Sequence, residues 1–324
     1  MNTNTVIATF VAIVGAALAL ASATAVAAKP GGGTSDPCTT AVGFPAFVYV
    51  KGSGTTQQIY VSDAKGTCTR PLFMVTNGYS AGASLSFSYP VGNTNRGRVV
   101  WLEGAQVVGG DFTVSGTNVT LLERQTVVSG VDCCALTLNP TGDYLYVSTA
   151  QRTLSKISFA TPADRTVIKN LSDDGWFVTV TTNGDESALY VEERRAQGTQ
   201  LIGRQLIRID LAGLASTILV PDNVSQFWPA ADPGTNRIAY TSYLVGSNNC
   251  YQLQVANGTT GAPISYGQPR YGTGATWLGG MVLSNGYTSP NSRNQCSATG
   301  KVTRIDPSTS LATPLLTGFD PDGR

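Results

Sequence analysis

The sequence predicts an all-β protein: a six-bladed β-propeller of four-stranded antiparallel blades, its ring closed by a C-terminal strand joining the N-terminal blade. Three observations lead there. Charged residues are only 13% of the 324, against a usual ~25%, while 36 glycines punctuate a Ser-, Thr- and Val-rich chain. A glycine-centred turn recurs, with glycines at 92, 142, 184, 234, 280 and 323 at intervals of 50, 42, 50, 46 and 43 residues. The last turn ends the chain, whereas the first strand of the body has no such turn before it.

Taken from the N-terminus, residues 1–28 contain no charged side chain, and Val6 to Ala28 is an Ala-rich apolar run closed by small residues. Ala25-Val26-Ala27 fits the small-x-small rule for signal peptidase, so 1–28 is read as a signal peptide. After cleavage no stable membrane span is expected, although the 23 residues from Val6 to Ala28, retained as an anchor, would just reach across a bilayer of ~30 Å. Residues 29–40, with Lys29-Pro30-Gly31-Gly32-Gly33, are read as a flexible linker. Residues 41–324 form a single propeller domain. The expected location is secreted or periplasmic, and the expected state is a monomer. Four N-x-S/T sequons, at Asn118, Asn170, Asn223 and Asn257, bear on function only if the host glycosylates exported proteins.

Within the body, five of the turns lead into short β-branched and aromatic runs, such as Arg98-Val99-Val100-Trp101-Leu102 and Tyr144-Leu145-Tyr146-Val147, with equivalents at 188–191, 237–240 and 281–283. Runs of this length bounded by turn residues read as strands. A second strand with alternating character follows at 154–159, 206–210 and 302–306, and a more exposed one at 216–220 and 313–316. Four strands per unit, A to D from the axis outward, make a propeller blade. The first blade draws its B, C and D strands from 46–50, 58–61 and 70–73, and its A strand from 319–324. Pairing the two ends removes sheet edges that would invite aggregation.

The unit Leu138-Asn139-Pro140-Thr141-Gly142-Asp143-Tyr144-Leu145-Tyr146-Val147 resembles the Pro-Asp-Gly repeat of TolB-like and related WD40-like (PD40, YVTN-type) propellers. The resemblance covers nearly all of 40–324, with Asn183 and Gly279 departing from the pattern. It implies a fold shared by binding proteins and enzymes, so function must come from the site.

Composition removes several chemistries. The chain has no histidine, so Ser-His-Asp and Cys-His catalysis and His-ligated zinc are absent. A net charge of +1 argues against nucleic acid as a partner. The D–A and B–C loops form the face where strand A begins. Reading back from each turn places Tyr79, Asp132, Asp173, Asp174, Trp176, Gln226, Phe227, Trp228, Arg270 and Tyr271 around its mouth. Aromatics mixed with carboxylates and an arginine suit a protein, peptide or glycan ligand. Trp176, Phe227 and Trp228 are alternatively inter-blade packing residues. Asp132 with Asp173 and Asp174 raises a Ca²⁺ at the channel, against the alternative of a surface acidic turn at 173–174.

Six cysteines in an exported chain suggest disulfides, with fifteen possible pairings. Cys250 and Cys296 precede strand C in the last two blades, and their pairing would staple two loops beside the mouth. Cys38 with Cys68 would pin the N-terminal tail to blade one. Cys133-Cys134 is either a vicinal bridge or two small side chains on opposite faces of a strand. The leading expectation is a non-catalytic exported binding module. The alternatives are a carboxylate- or Ca²⁺-dependent hydrolase, lactonase-like or glycosidase-like, and a structural part of an envelope complex.

Overall fold

The computed structural model describes residues 36–40, 43–53, 56–76, 85–116, 118–149, 152–171, 174–221, 228–243, 250–264 and 271–323, without the side chains of 40, 132–134, 320 and 323. Its strands in chain order give blade 1 β1 (Phe47–Ser53), β2 (Thr56–Ser62) and β3 (Thr69–Thr76). Blade 2 has β4 (Leu85–Ser88), β5 (Arg96–Glu103), β6 (Gln106–Ser115), β7 (Asn118–Leu121) and β8 (Gln125–Ser129). Blade 3 has β9 (Val131–Leu138), β10 (Tyr144–Thr149), β11 (Thr153–Ser158) and β12 (Arg165–Asn170). Blade 4 has β13 (Trp176–Thr182), β14 (Ala188–Gln197), β15 (Gln200–Asp210) and β16 (Ser216–Val220). Blade 5 has β17 (Ala230–Ala231), β18 (Arg237–Tyr243) and β19 (Tyr251–Asn257), and blade 6 has β20 (Gly272–Leu278), β21 (Met281–Tyr287), β22 (Ala298–Ile305) and β23 (Ala312–Thr317). The last strand, β24 (Phe319–Gly323), returns to pair antiparallel with β1.

Six antiparallel sheets result. Two depart from the regular blade. In blade 2 the outer position is shared, β7 pairing the C-terminal half of β6 and β8 its N-terminal half. In blade 5 the described part of the outer position consists of two bridges, Ala256 with Pro263 and Gln252 with Tyr271, and residues 265–270 between them lie outside the described residues. The inner strands touch in succession: β24 meets β4, then β9, β13, β17 and β20, and β20 meets β24 again. The ring is closed.

Alternation of side chains along each strand sends one set toward each neighbouring blade. Hence the core is divided into one hydrophobic cluster per blade interface: Phe87 and Phe112 with Val48 and Ile59; Leu138 and Leu145 with Val100; Phe177 and Leu189 with Tyr146; Tyr190 with Ile238; Trp277 with Leu253; and Phe47 and Tyr49 with Leu283. Each fully buried Leu, Val or Phe contributes roughly 1.5–3 kcal/mol of transfer free energy. Polar stitches cross the same interfaces. Ser86 Oγ accepts the Leu138 N–H at 3.0 Å, and Trp277 Nε1 donates to the Ala230 carbonyl at 2.8 Å.

The repeating turn is anchored by an Asx residue rather than by its glycine. In blade 3, Asn139 Oδ1 accepts the Tyr144 N–H at 3.0 Å, and in blade 4 Asn183 Oδ1 accepts the Ala188 N–H at 2.9 Å. Both turns span five residues and pass through a positive φ three residues after the asparagine, at Gly142 (74°) and Glu186 (55°). Blade 4 therefore keeps the turn while losing the Pro-Thr-Gly wording. Blade 6 differs in kind, because Gly279 and Gly280, at φ 56° and 79°, make a two-residue hairpin between Leu278 and Met281. Positive φ at both central positions is what a type I′ turn needs. Asp322 and Gly323 lie within β24, so the final Pro-Asp-Gly is strand A of blade 1, not a further turn.

At the N-terminal edge of the described body, Pro37–Thr40 forms a single 3₁₀ turn. The Cys38–Cys68 disulfide and an Asp36–Arg70 ion pair hold it to blade 1.

Candidate binding site at the mouth of the channel

The channel is narrow. Residues of all six inner strands line it, among them Ser86, Thr137, Thr179, Thr276 and Asp322, and they enclose about 60 Å³. Pockets for organic ligands run to ~300–1,000 Å³; this one has room for water. Thr179 Oγ1 is buried there without a hydrogen-bond partner among the described residues. Asp322 Oδ2 accepts the Phe87 N–H at 2.6 Å, and its Oδ1 lies 3.3 Å from Thr276 Oγ1.

Above blades 4 to 6 the surroundings change. Trp228 sits on the channel wall immediately before β17, with a φ of 39°. Positive φ is uncommon for a bulky residue and persists only when the surroundings fix it. Here the Trp228 N–H points to Glu192 Oε2 at 3.4 Å, and its ring packs on Tyr251 at 5.7 Å between centroids. Tyr251, at the start of β19, also meets Tyr243 at 5.7 Å and Tyr287 at 5.8 Å, the latter edge-on. All four rings are half-buried. The Cys250–Cys296 disulfide joins the residue next to Tyr251 to the B–C loop of blade 6.

Beneath Trp228 lies Glu192, fully buried on β14 across from Thr179. Burial pushes its carboxyl above the usual range, against the pull of Arg194, whose Nε is 3.3 Å from Oε1. Arg194 stands directly opposite Arg204 in the β14–β15 ladder, and its guanidinium lies 5.6 Å from the Trp176 ring centre. Burial first, and repulsion from Arg194 second, lower the Arg204 pKa. The mouth over blades 4 and 5 thus combines two tryptophans, clustered tyrosines, two guanidiniums and one submerged carboxylate.

Of the mouth residues expected from the sequence, Trp176 and Trp228 belong to this cluster. Tyr271 lies at its far side, bridging Gln252 and accepting the Tyr287 N–H at 3.1 Å through its carbonyl. Asp174 is committed elsewhere: it accepts the Gly198 N–H at 2.7 Å and pairs with Arg152 at 2.8 Å. The Gly198 hydrogen bond, and then Arg152, hold its carboxyl below the usual range. Tyr79, Asp173, Gln226, Phe227 and Arg270 lie outside the described residues, as do the side chains of Asp132, Cys133 and Cys134. The Ca²⁺ expectation rested on Asp132 and Asp173 as well as Asp174. No group of three or more Cys, Asp or Glu side chains suited to a metal converges among the described residues.

Glu192, Arg194, Arg204, Tyr243, Tyr251 and Tyr287 escaped sequence reasoning because they come from the ends of B strands and the starts of C strands. Reading back from each turn samples only the D–A connections. Counting forward from the same turns by one strand length would have reached Tyr243 and Tyr287.

No protein-family profile matches the chain, and no curated protein matches it in sequence. Solved structures do. TolB from Acinetobacter baumannii superposes with a TM-score of 0.58 at 14% identity, covering 86% of this chain and 65% of that one. A candidate 6-phosphogluconolactonase from Bacteroides uniformis superposes with a TM-score of 0.50 at 8% identity, covering 86% and 98%. At such identities the likeness concerns the backbone alone, and the two names show one ring serving different ends. In fold, the chain is a six-bladed β-propeller whose backbone is similar to that of TolB.

Proposed function

We propose that this propeller is an exported, non-catalytic interaction module that binds a peptide segment of a partner protein across its mouth. The carrying observation is the Trp228–Tyr251–Tyr243–Tyr287 cluster beside Arg194 and Arg204. Trp, Tyr and Arg dominate the energetic centres of protein interfaces, whereas Lys, Asp and Glu are depleted from their cores. The one carboxylate in this cluster among the described residues, Glu192, is submerged and serves to position Trp228. The channel's 60 Å³ favours a ligand lying over the mouth rather than threading it.

Export is supported by the signal-peptide character of residues 1–28 and by the Cys38–Cys68 and Cys250–Cys296 disulfides, which persist in oxidising compartments. A hydrolase would call for a second carboxylate facing Glu192. The described groups that face it are Arg194, Arg204 and the Trp228 N–H.

Selection of a displayed random-peptide library on the immobilised protein, run beside a glycan array, tests this reading. Selected peptides should lose at least tenfold in affinity on Trp228→Ala and on Tyr251→Ala. Peptides indifferent to both variants, or array binding by glycans in place of peptides, would overturn it.

A further inference from the structure

Beyond the mouth, a groove of about 330 Å³ runs along the flank of blade 6. Tyr271, Ile305 and Pro314 form its apolar wall, Thr303 offers a hydroxyl, and Lys301 stands at its exposed side. Tyr287 belongs both to this groove and to the aromatic cluster, its ring edge-on to Tyr251 at 5.8 Å. The two features are therefore one continuous surface.

One side of the groove is packed tightly at Gly286. A Cβ on Gly286 would come within 2.5 Å of Thr303 Oγ1 and 2.8 Å of Thr299 Oγ1, so the backbone of β21 approaches β22 only because that side chain is absent. Its volume falls in the range that holds an organic group, unlike the channel's. Its charge is one-sided. Among the described residues Lys301 has no ion pair and no carboxylate lines the groove.

We infer that this groove is the anchor subsite for the peptide bound at the mouth, taking an apolar side chain whose neighbouring carboxylate meets the Lys301 ammonium. The inference rests on the peptide reading above and adds to it where the ligand ends or turns and what chemistry it carries there. An apolar wall of tyrosine, isoleucine and proline suits an aromatic or branched side chain. The Lys301 ammonium beside it suits a carboxylate, from either a chain terminus or an acidic residue. Such an anchor in a pocket at one end, with aromatic contacts along the remainder, is how few residues come to dominate a peptide interface.

The test uses acetylated Gly/Ser hexapeptides ending in phenylalanine, in three forms: a free C-terminal carboxylate, a C-terminal amide, and an amide with aspartate before the phenylalanine. NMR titration of the full mature chain is expected to give at least fivefold tighter binding for the two charged forms than for the neutral amide. The tighter of the two identifies terminus or acidic side chain as the source. Lys301→Gln should erase the preference and Lys301→Arg restore it, whereas Trp228→Ala should weaken all three forms and leave the preference intact. Equal affinity of the three forms, no saturation at millimolar peptide, or a preference that survives Lys301→Gln would each overturn the assignment. So would occupation of the groove by neutral chitotetraose with shifts at Tyr287 and no response to the peptides. If Trp228→Ala leaves affinity unchanged while the Lys301-dependent preference persists, the mouth reading fails and the groove stands alone.

Discussion

Asp322, on the last strand, accepts the backbone N–H of Phe87 at 2.6 Å across 235 positions of sequence. The bond crosses from β24, strand A of blade 1, to β4, strand A of blade 2, while β24 pairs with β1. One residue therefore ties the end of the chain to two blades from its beginning. Hydrogen bonds to charged groups contribute about 1.5–3 kcal/mol. Asp322→Ala is expected to lower the unfolding free energy by about 2 kcal/mol, read from the urea midpoint at unchanged slope. Removing residues 319–324 should cost far more, exposing the edge of β1 and producing oligomers by light scattering.

Two carboxylates, Glu186 half-buried and Glu192 fully buried, should give opposite pH slopes. Glu186, at the turn of blade 4, is pushed up by burial, but hydrogen bonds from Asn139, Lys156 and Tyr146 outweigh that and hold it below its ordinary 4.5. Lys156 Nζ and Asn139 Nδ2 reach it at 2.8 and 2.9 Å, both from blade 3. With its folded pKa depressed, the unfolded chain binds the proton more readily. Its contribution is present above pH 4.5 and is lost as pH falls through the folded value. Subtracting the Glu186→Gln profile from wild type should isolate a stability loss confined to acid below about pH 4.5, and a flat difference there would disprove the network's role.

For Glu192 the sign reverses. Burial raises its pKa, so the folded protein holds the proton more tightly than the unfolded chain. Its effect on stability is most favourable below pH 4.5 and declines as pH rises through the folded value. Relative to Glu192→Gln, wild type should lose stability as pH rises above 4.5 toward the raised folded value. The same substitution should shift the Trp228 fluorescence, since the Trp228 backbone N–H loses its carboxyl acceptor and the ring's seat on Tyr251 changes with it; an unaltered spectrum would separate Glu192 from the mouth.

The ring was legible in the sequence because a propeller shows itself through its period. Glycine-centred segments recurring at 42–50 residues, five of them leading into short β-branched runs, mark the blades, and β24 supplies the inner partner of β1. The turn alignment was less legible. Gly142 and Gly184 align by eye, but the anchors are Asn139 and Asn183, whose side chains bond the backbone five residues on. Glu186 occupies the positive-φ position that glycine fills in blade 3, and a glutamate there gives no composition signal. The mouth was half legible. Trp176, Trp228 and Tyr271 follow from the D–A connections, and both described disulfides follow from blade alignment. Glu192 reads simply as one residue in a strand, since its burial under Trp228 depends on how blades 4 and 5 meet.

The Cys250–Cys296 bridge links the disulfide chemistry to the proposed surface. It closes a loop with a sequence separation of 46, for which chain entropy alone gives about 4 kcal/mol, as an upper value because native-state strain and residual unfolded structure reduce it. Cys250 is fully buried, and the bridge ties the B–C loops of blades 5 and 6 where Tyr251 and Tyr287 meet. Paired Cys250→Ala and Cys296→Ala substitutions should lower stability by about 2–4 kcal/mol. They should also weaken mouth ligands by more than the Cys38–Cys68 pair does when removed in the same way, since that bridge sits on blade 1, away from the aromatic cluster. Equal losses of affinity from the two double variants would mean that binding follows global stability, and that the bridge does not position Tyr251.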